Sequence, residues 1–299
     1  MNLGMLDLHG RVRAFSDGKL LWDRPNKITT LGRKALLAAM AHKEEIEQTD
    51  SDNWFHGCGS NWKFHPKSWI SCYAFGNGGA ITNENVVVPA ATSMADLNMY
   101  HIIPLRQKRK SGLYDRSYHL DEYIDLPSEL KPGRSSEGKD YTFSNLTNSG
   151  SAFNPDNFVY FKRLTECDTG IKEIHTTSAS TIDTSASRIG VHSLETAVAS
   201  FKLTISADDL RRTFPESATE DDKTDIVSDS KVNELSLYIA SVEEDSGRET
   251  DSAYAPWKFT KLNDTTYTLP IQFSHITFPT ENFFGNSTKD IDLEYYVFA

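Results

Sequence analysis

Apolar and polar positions alternate in twos over most of this 299-residue chain, and one stretch carries the spacing of a helix. Near the start, Val12, Ala14, Leu20 and Trp22 flank Asp17-Gly18, a pair suited to the positive φ angles of a tight turn. A β-hairpin is therefore predicted over 10–22, broken by Asp23-Arg24-Pro25-Asn26. Thr29 or Thr30 then caps a helix predicted over 31–45. Its apolar face is expected to carry Leu31, Leu36, Leu37, Ala39 and Met40 into a core.

Residues 48–66 are polar and aromatic and read as an exposed loop or surface extension. A strand follows at 69–75, halted by Gly76-Asn77-Gly78-Gly79, with extended pieces at 86–88 and 97–105. Residues 128–155 hold Pro, Gly, Ser and Asn with few apolar positions, which marks a boundary or long excursion. Beyond it, strands are predicted at 158–164, 199–206, 234–240, 257–262, 269–279 and 290–298, with a Ser/Thr-rich loop or edge at 176–187. Phe201, Leu203 and Ile205 share one side of their strand, and Ile291, Leu293 and Tyr295 one side of theirs. The last two strands are expected to pair with each other, with a bulge near His275.

The fold class that follows is mainly β with a minor α component. It is an antiparallel β-sandwich type with an N-terminal hairpin, one helix and long loops. The expected organisation is a hairpin-helix-strand region over 1–127, a linker or excursion over 128–155 and a β-sandwich over 156–299, or one continuous domain. A closing strand at 290–298 could also complete a neighbour's sheet.

Composition narrows the function. The apolar share of 38% can build a core, and 16 Phe, 12 Tyr and 5 Trp suit strand faces and subunit interfaces. The net charge is −11, but residues 207–252 hold 14 Asp/Glu against 5 Lys/Arg, so −9 of it lies in acidic loops. Without a basic face, nucleic acid is not expected as the main partner, and the basic run 106–110 reads as a solvated loop or interface rim. Cys58, Cys72 and Cys167 are an odd count in a large chain and imply no disulfide scaffold. No secretory signal and no membrane-spanning apolar run is visible, so the expected product is soluble and made in a reducing cytoplasm.

Reactive groups are not gathered by sequence spacing. In Gly76-Asn77-Gly78-Gly79, Ile81 stands where a dinucleotide loop needs its third glycine. His56, Cys58, His65 and Cys72 match no common zinc spacing. Asp50 and Asp52 could open a calcium loop, but Phe55 takes the position that needs glycine, and the acidic run 220–225 follows no motif. There is no Gly-x-Ser-x-Gly elbow and no His-Glu-x-x-His helix. The expectation is a non-enzyme with no cofactor and no metal.

The order of the first hundred residues resembles a pattern in tail and baseplate proteins of tailed bacteriophages. A hairpin is followed by Asn26-Lys27-Ile28-Thr29-Thr30-Leu31-Gly32-Arg33, then by Ile70-Ser71-Cys72-Tyr73-Ala74-Phe75-Gly76-Asn77-Gly78 and later Asp96-Leu97-Asn98-Met99-Tyr100. Residues 234–238, 273–280 and 293–297 are similar to the close of virion structural proteins in large tailed phages. The resemblance implies a tail, neck or baseplate component in the virion, made in the host cytoplasm and assembled with other virion proteins. A homo-oligomer or ring around the tail axis is the expected arrangement. No coiled-coil or long shaft repeat is present, so a compact part fits better than a fibre.

Candidate partner-contact residues are Trp54, Phe55 and Trp62 in the aromatic loop and Tyr295, Tyr296 and Phe298 at the end. The alternative function is a receptor- or glycan-binding module at the tail tip, in which Trp54, Trp62 and Trp69 stack on sugar rings. A wall- or polysaccharide-cleaving enzyme ranks third.

Overall fold

The computed structural model describes residues 8–40, 45–47, 61–63, 68–96, 99–100, 102–103, 105–106, 123–125, 158–164, 169–176, 194–207, 230–244, 257–260, 270–283 and 290–298. The chain opens with β1 (His9–Ser16), β2 (Lys19–Ile28) and α1 (Thr30–Met40), followed by β3 (Glu45–Glu47) and β4 (Asn61–Lys63). Then come β5 (Trp69–Gly76), β6 (Ala80–Asn83), β7 (Val86–Pro89), β8 (Leu105–Arg106) and β9 (Tyr123–Asp125). The second half holds β10 (Phe158–Val159), β11 (Phe161–Arg163), β12 (Thr169–Thr176), β13 (Leu194–Ser206) and β14 (Ser230–Ala240). It ends with β15 (Val242–Glu244), β16 (Trp257–Phe259), β17 (Ile271–Phe283) and β18 (Asp290–Phe298).

Twelve of the strands form one sheet in the order β12-β13-β18-β1-β2-β17-β14-β5-β11-β9-β16-β15, antiparallel except where β16 meets β9. The protein is thus mainly β with a single described helix, as the alternation of residue types predicts. The sheet draws strands from both ends of the chain: β18 lies between β1 and β13, and β17 between β2 and β14. The sheet curls on itself. From β13 to β5 is six strand steps, roughly 28 Å if flat, yet Tyr73 Oη donates to the Thr204 carbonyl at 3.3 Å and Lys162 Nζ to the same oxygen at 3.4 Å. The two halves therefore face each other across one core.

The alternation inside that core follows the registers. Phe201 and Val12 both stand opposite Tyr295, and Leu203 and Ala14 both stand opposite Leu293, so their side chains share a face. All six are buried. The β1–β2 turn forms at Asp17 (φ 50°) and Gly18 (φ 73°), as Asp-Gly predicts. A register shift after Ala14 inserts Leu21 and leaves Leu20 exposed, so of the four apolar hairpin positions Val12, Ala14 and Trp22 are the buried ones.

Two further expectations are corrected. β17 and β18 do not pair: β18 is taken on both sides by β1 and β13, and β17 by β14 and β2. The helix is described as Thr30–Met40, and Glu45, expected at its end, belongs to β3 instead. Gly32, Ala35 and Ala38 are buried and Leu31 and Leu36 pack partly buried against the core, as expected of the two leucines, whereas Leu37 is 60% and Met40 69% exposed. The physical reason is a close approach. A Cβ on Gly32 would lie 2.5 Å from the Phe273 carbonyl oxygen and 2.6 Å from its Cα, so only the small-residue side of the helix can lie on β17. Thr29 fixes that approach as N-cap: its Oγ1 accepts from Gly32 N at 2.9 Å and donates to the Gln272 carbonyl at 2.6 Å.

Gly32→Ala is accordingly expected to cost about 1–3 kcal/mol of stability, the usual range for forced overpacking against backbone. A shift of the urea midpoint at unchanged slope checks it, and an unshifted midpoint would refute the close contact.

Strands β5, β14 and β17 are buried along most of their length on both faces. One face meets the opposite half of the sheet. The other lies under α1 and residues 79–96, which return across the sheet through the hairpin β6–β7, and under Tyr100 and Ile103.

Candidate functional site

A polar cluster sits beneath that cover. Glu234 on β14 pairs in register with Thr277 on β17, and Ser236 with His275, so Glu234, Ser236, His275 and Thr277 share a face. Alternation places them away from Leu235 and Ile276, which join the core. His275 lies where two carboxylates reach it: Asp96 Oδ2 is 2.7 Å from Nδ1 and Glu234 Oε1 is 2.9 Å from Nε2. The side chains of His275 and Glu234 are fully buried, and that of Asp96 is 13% exposed.

Asp96 comes from a turn that is itself cross-linked. Its Oδ2 accepts from Ser93 N at 2.9 Å, Asp96 N donates to the Ser93 carbonyl at 3.2 Å, and Thr30 N donates to the Met94 carbonyl at 2.7 Å. Tyr100 closes the far side: its amide donates to Glu234 Oε1, its ring meets the imidazole edge-on at 5.0 Å, and its hydroxyl donates to the Ala91 carbonyl at 2.7 Å. Around the cluster, Gln272 Nε2 donates to Ser236 Oγ at 2.7 Å, and Asn233 Oδ1 accepts from Gly79 N at 2.7 Å. A Cβ on Gly79 would lie 2.4 Å from the Asn233 carbonyl oxygen, so this crossing of backbones also requires glycine.

Burial alone would push the His275 pKa down, but the hydrogen bonds and charges of Glu234 and Asp96 outweigh it and hold the ring above the ordinary histidine value. Stability from this pairing is fully present below about pH 6.5 and is lost as pH rises through the folded-state value. Burial, with Asp96 and Glu234 nearby, also raises the Tyr100 hydroxyl, so it stays neutral near pH 7. Both imidazole nitrogens are engaged and the ring does not reach solvent, so the cluster acts chemically as a clamp between elements. Among the described residues no group of three or more His, Cys, Asp or Glu is arranged to hold a metal ion.

The residues singled out by sequence are scattered. Trp54 and Phe55 lie outside the described residues, as do His56, Cys58, His65, Asp50, Asp52, Cys167 and the runs 107–110 and 220–225. Trp62 pairs through its backbone with Ile46 in β3–β4. Tyr295 is not a surface ring: it is fully buried in the chain's own core, edge-to-face with Phe201 at 6.3 Å. Phe298 is also buried, stacked on His9 with centroids 4.9 Å apart. Tyr296 is half-buried on the outer face, where its hydroxyl donates to Glu294 at 2.7 Å and burial, then Glu294, push its pKa up to about 12.

That outer face is polar. Arg11 holds Asp23 through two bonds of 2.6 and 2.7 Å, Arg13 adds a third at 3.2 Å, and the hydrogen bond from Arg11 keeps the carboxyl below its usual range. Cys72 is buried, which pushes its thiol up and removes it as a nucleophile. No helix among the described residues is long and apolar enough to cross a membrane. No family model, curated protein or solved structure matches the chain.

Proposed function

We propose that this protein is a structural and assembly part of a tailed-phage virion, a tail, neck or baseplate component that acts by packing against other virion subunits. The observation that carries the reading is the placing of apolar side chains. Ionisable groups converge on the buried clamp, whereas Ile81, Val86 and Val87 on the hairpin β6–β7 are 52%, 60% and 61% exposed. A two-stranded hairpin is marginal by itself. This one is anchored at its base: Ala90 N donates to the Gly79 carbonyl at 2.8 Å, and Thr277 Oγ1 to the Ala90 carbonyl at 2.5 Å. Its tip turns tightly at Glu84 and Asn85, both with positive φ. An anchored, apolar projection suits contact with another polypeptide.

Registers Ile81↔Val88 and Asn83↔Val86 set Ile81 and Val86 on one face of the hairpin. The double variant Ile81→Asp, Val86→Asp is expected to keep the fold but to lose assembly into particles. Sedimentation of the purified protein and antibody labelling of virions measure this. Label absent from particles, or wild-type incorporation of the double variant, would overturn the proposal.

A further inference from the structure

We propose that the Asp96–His275–Glu234 clamp is a proton-operated latch that fastens the 93–96 turn and Tyr100 to the sheet and releases them when the imidazole loses its proton. An imidazolium has two N–H donors on opposite edges of the ring, and here each meets a carboxylate oxygen within 3 Å. A neutral imidazole has one. Deprotonation therefore turns one of the two contacts from a charge-assisted hydrogen bond into a lone pair facing an anion, in a site closed to water.

The geometry selects which contact yields. Glu234 is fully buried on the central strand β14, where it also accepts the Tyr100 amide. Asp96 stands at the end of a turn whose neighbours Ser93, Met94 and Ala95 are exposed, so its carboxylate has a short path to solvent. The neutral ring keeps its proton toward Glu234, and the Asp96 turn lifts. Other groups around the ring leave this intact. Tyr100 is neutral throughout, Lys27 opposite His275 in β2 is exposed, and Gly76 opposite Glu234 in β5 carries no charge. On α1, Arg33 turns its guanidinium to the Leu8 carbonyl at 2.5 Å. Because the clamp holds the ring above its ordinary pKa, release falls on the alkaline side of the usual histidine range.

Amide hydrogen exchange of the full chain between about pH 6 and about pH 9, corrected for intrinsic base catalysis, reads the latch. Protection at Asp96 and Tyr100 is expected to fall about tenfold or more across that range, while Ile103, bonded to the Phe75 carbonyl, and the β14 amides stay protected. Asp96→Asn supplies an amide N–H that donates to the neutral ring, so this variant should stay protected throughout. A flat wild-type profile, a fall that persists in Asp96→Asn, or a loss shared equally by β14 would each overturn the latch. Nitrogen NMR of the His275 ring in the wild type gives an independent reading: both nitrogens protonated at about pH 6 are expected, and a neutral ring there would refute it.

Discussion

Replacing His275 with alanine is expected to destabilise the protein by about 3–5 kcal/mol, the range seen when one partner of a buried charged set is removed. The imidazole bonds both Asp96 and Glu234, and without it two carboxylates face each other beneath α1 and the 90–96 cover. Burying one unpaired carboxylate is costly, and two together also repel. Part of the loss should be recovered in acid, where a bound proton can stand between the two oxygens. Urea unfolding of wild type and variant at about pH 5 and about pH 8 measures both effects. A deficit below about 1 kcal/mol at the higher pH would mean that the carboxylates find other partners.

Phe278→Ala is expected to cost about 3–5 kcal/mol, as for other fully buried phenylalanines. The larger end is favoured by where the ring sits. Phe278 stacks on Trp22 at 4.7 Å, and those two rings close the corner where β2 meets β17. Backbone pairing there is sparse, with only Ser274↔Ile28 and His275↔Lys27 in register. Side-chain packing therefore holds the two halves of the sheet together at this point. Loss of near-ultraviolet dichroism from Trp22 with retained far-ultraviolet signal would mark a loosened corner. An unchanged thermal midpoint would contradict the assignment.

Much of the fold was legible because strands with one buried face advertise it. The predicted inward positions Phe201, Leu203 and Ile205, and likewise Ile291, Leu293 and Tyr295, are all buried. Strands buried on both faces hide their partners. β17 is buried at every position from Ile271 to Phe278 although Gln272, Ser274, His275 and Thr277 are polar, so its residue pattern gave no sign of the second covered face or that its neighbours are β14 and β2. The helix face was half legible: Leu31 and Leu36 pack partly buried against the core as expected, but the contact of Gly32 with the Phe273 backbone turns Leu37 and Met40 to solvent.

The clamp itself was missed because its members are far apart, with Asp96 179 positions and Glu234 41 positions from His275 in the sequence. One signal did exist. Glu234 and His275 stand in the buried stretches 232–240 and 271–278, which hold no other Asp, Glu, His, Lys or Arg, and an ionisable group in such a place needs a partner. Tyr295, Tyr296 and Phe298 were contact candidates as a group, although Tyr295 also shares a side with Ile291 and Leu293. Alternation sends Tyr295 inward and Tyr296 outward, and the His9 ring covers Phe298.

The pairing of β1 with β18 has a kinetic side. His9–Phe15 cannot meet Asp292–Phe298 until the ribosome has passed both, roughly a quarter of a minute to a minute after the first strand emerges at ordinary synthesis rates. During that wait the β1–β2 hairpin carries an open edge that invites foreign strands. Slower synthesis lengthens that wait, so the yield of folded protein should fall as translation is slowed at constant temperature.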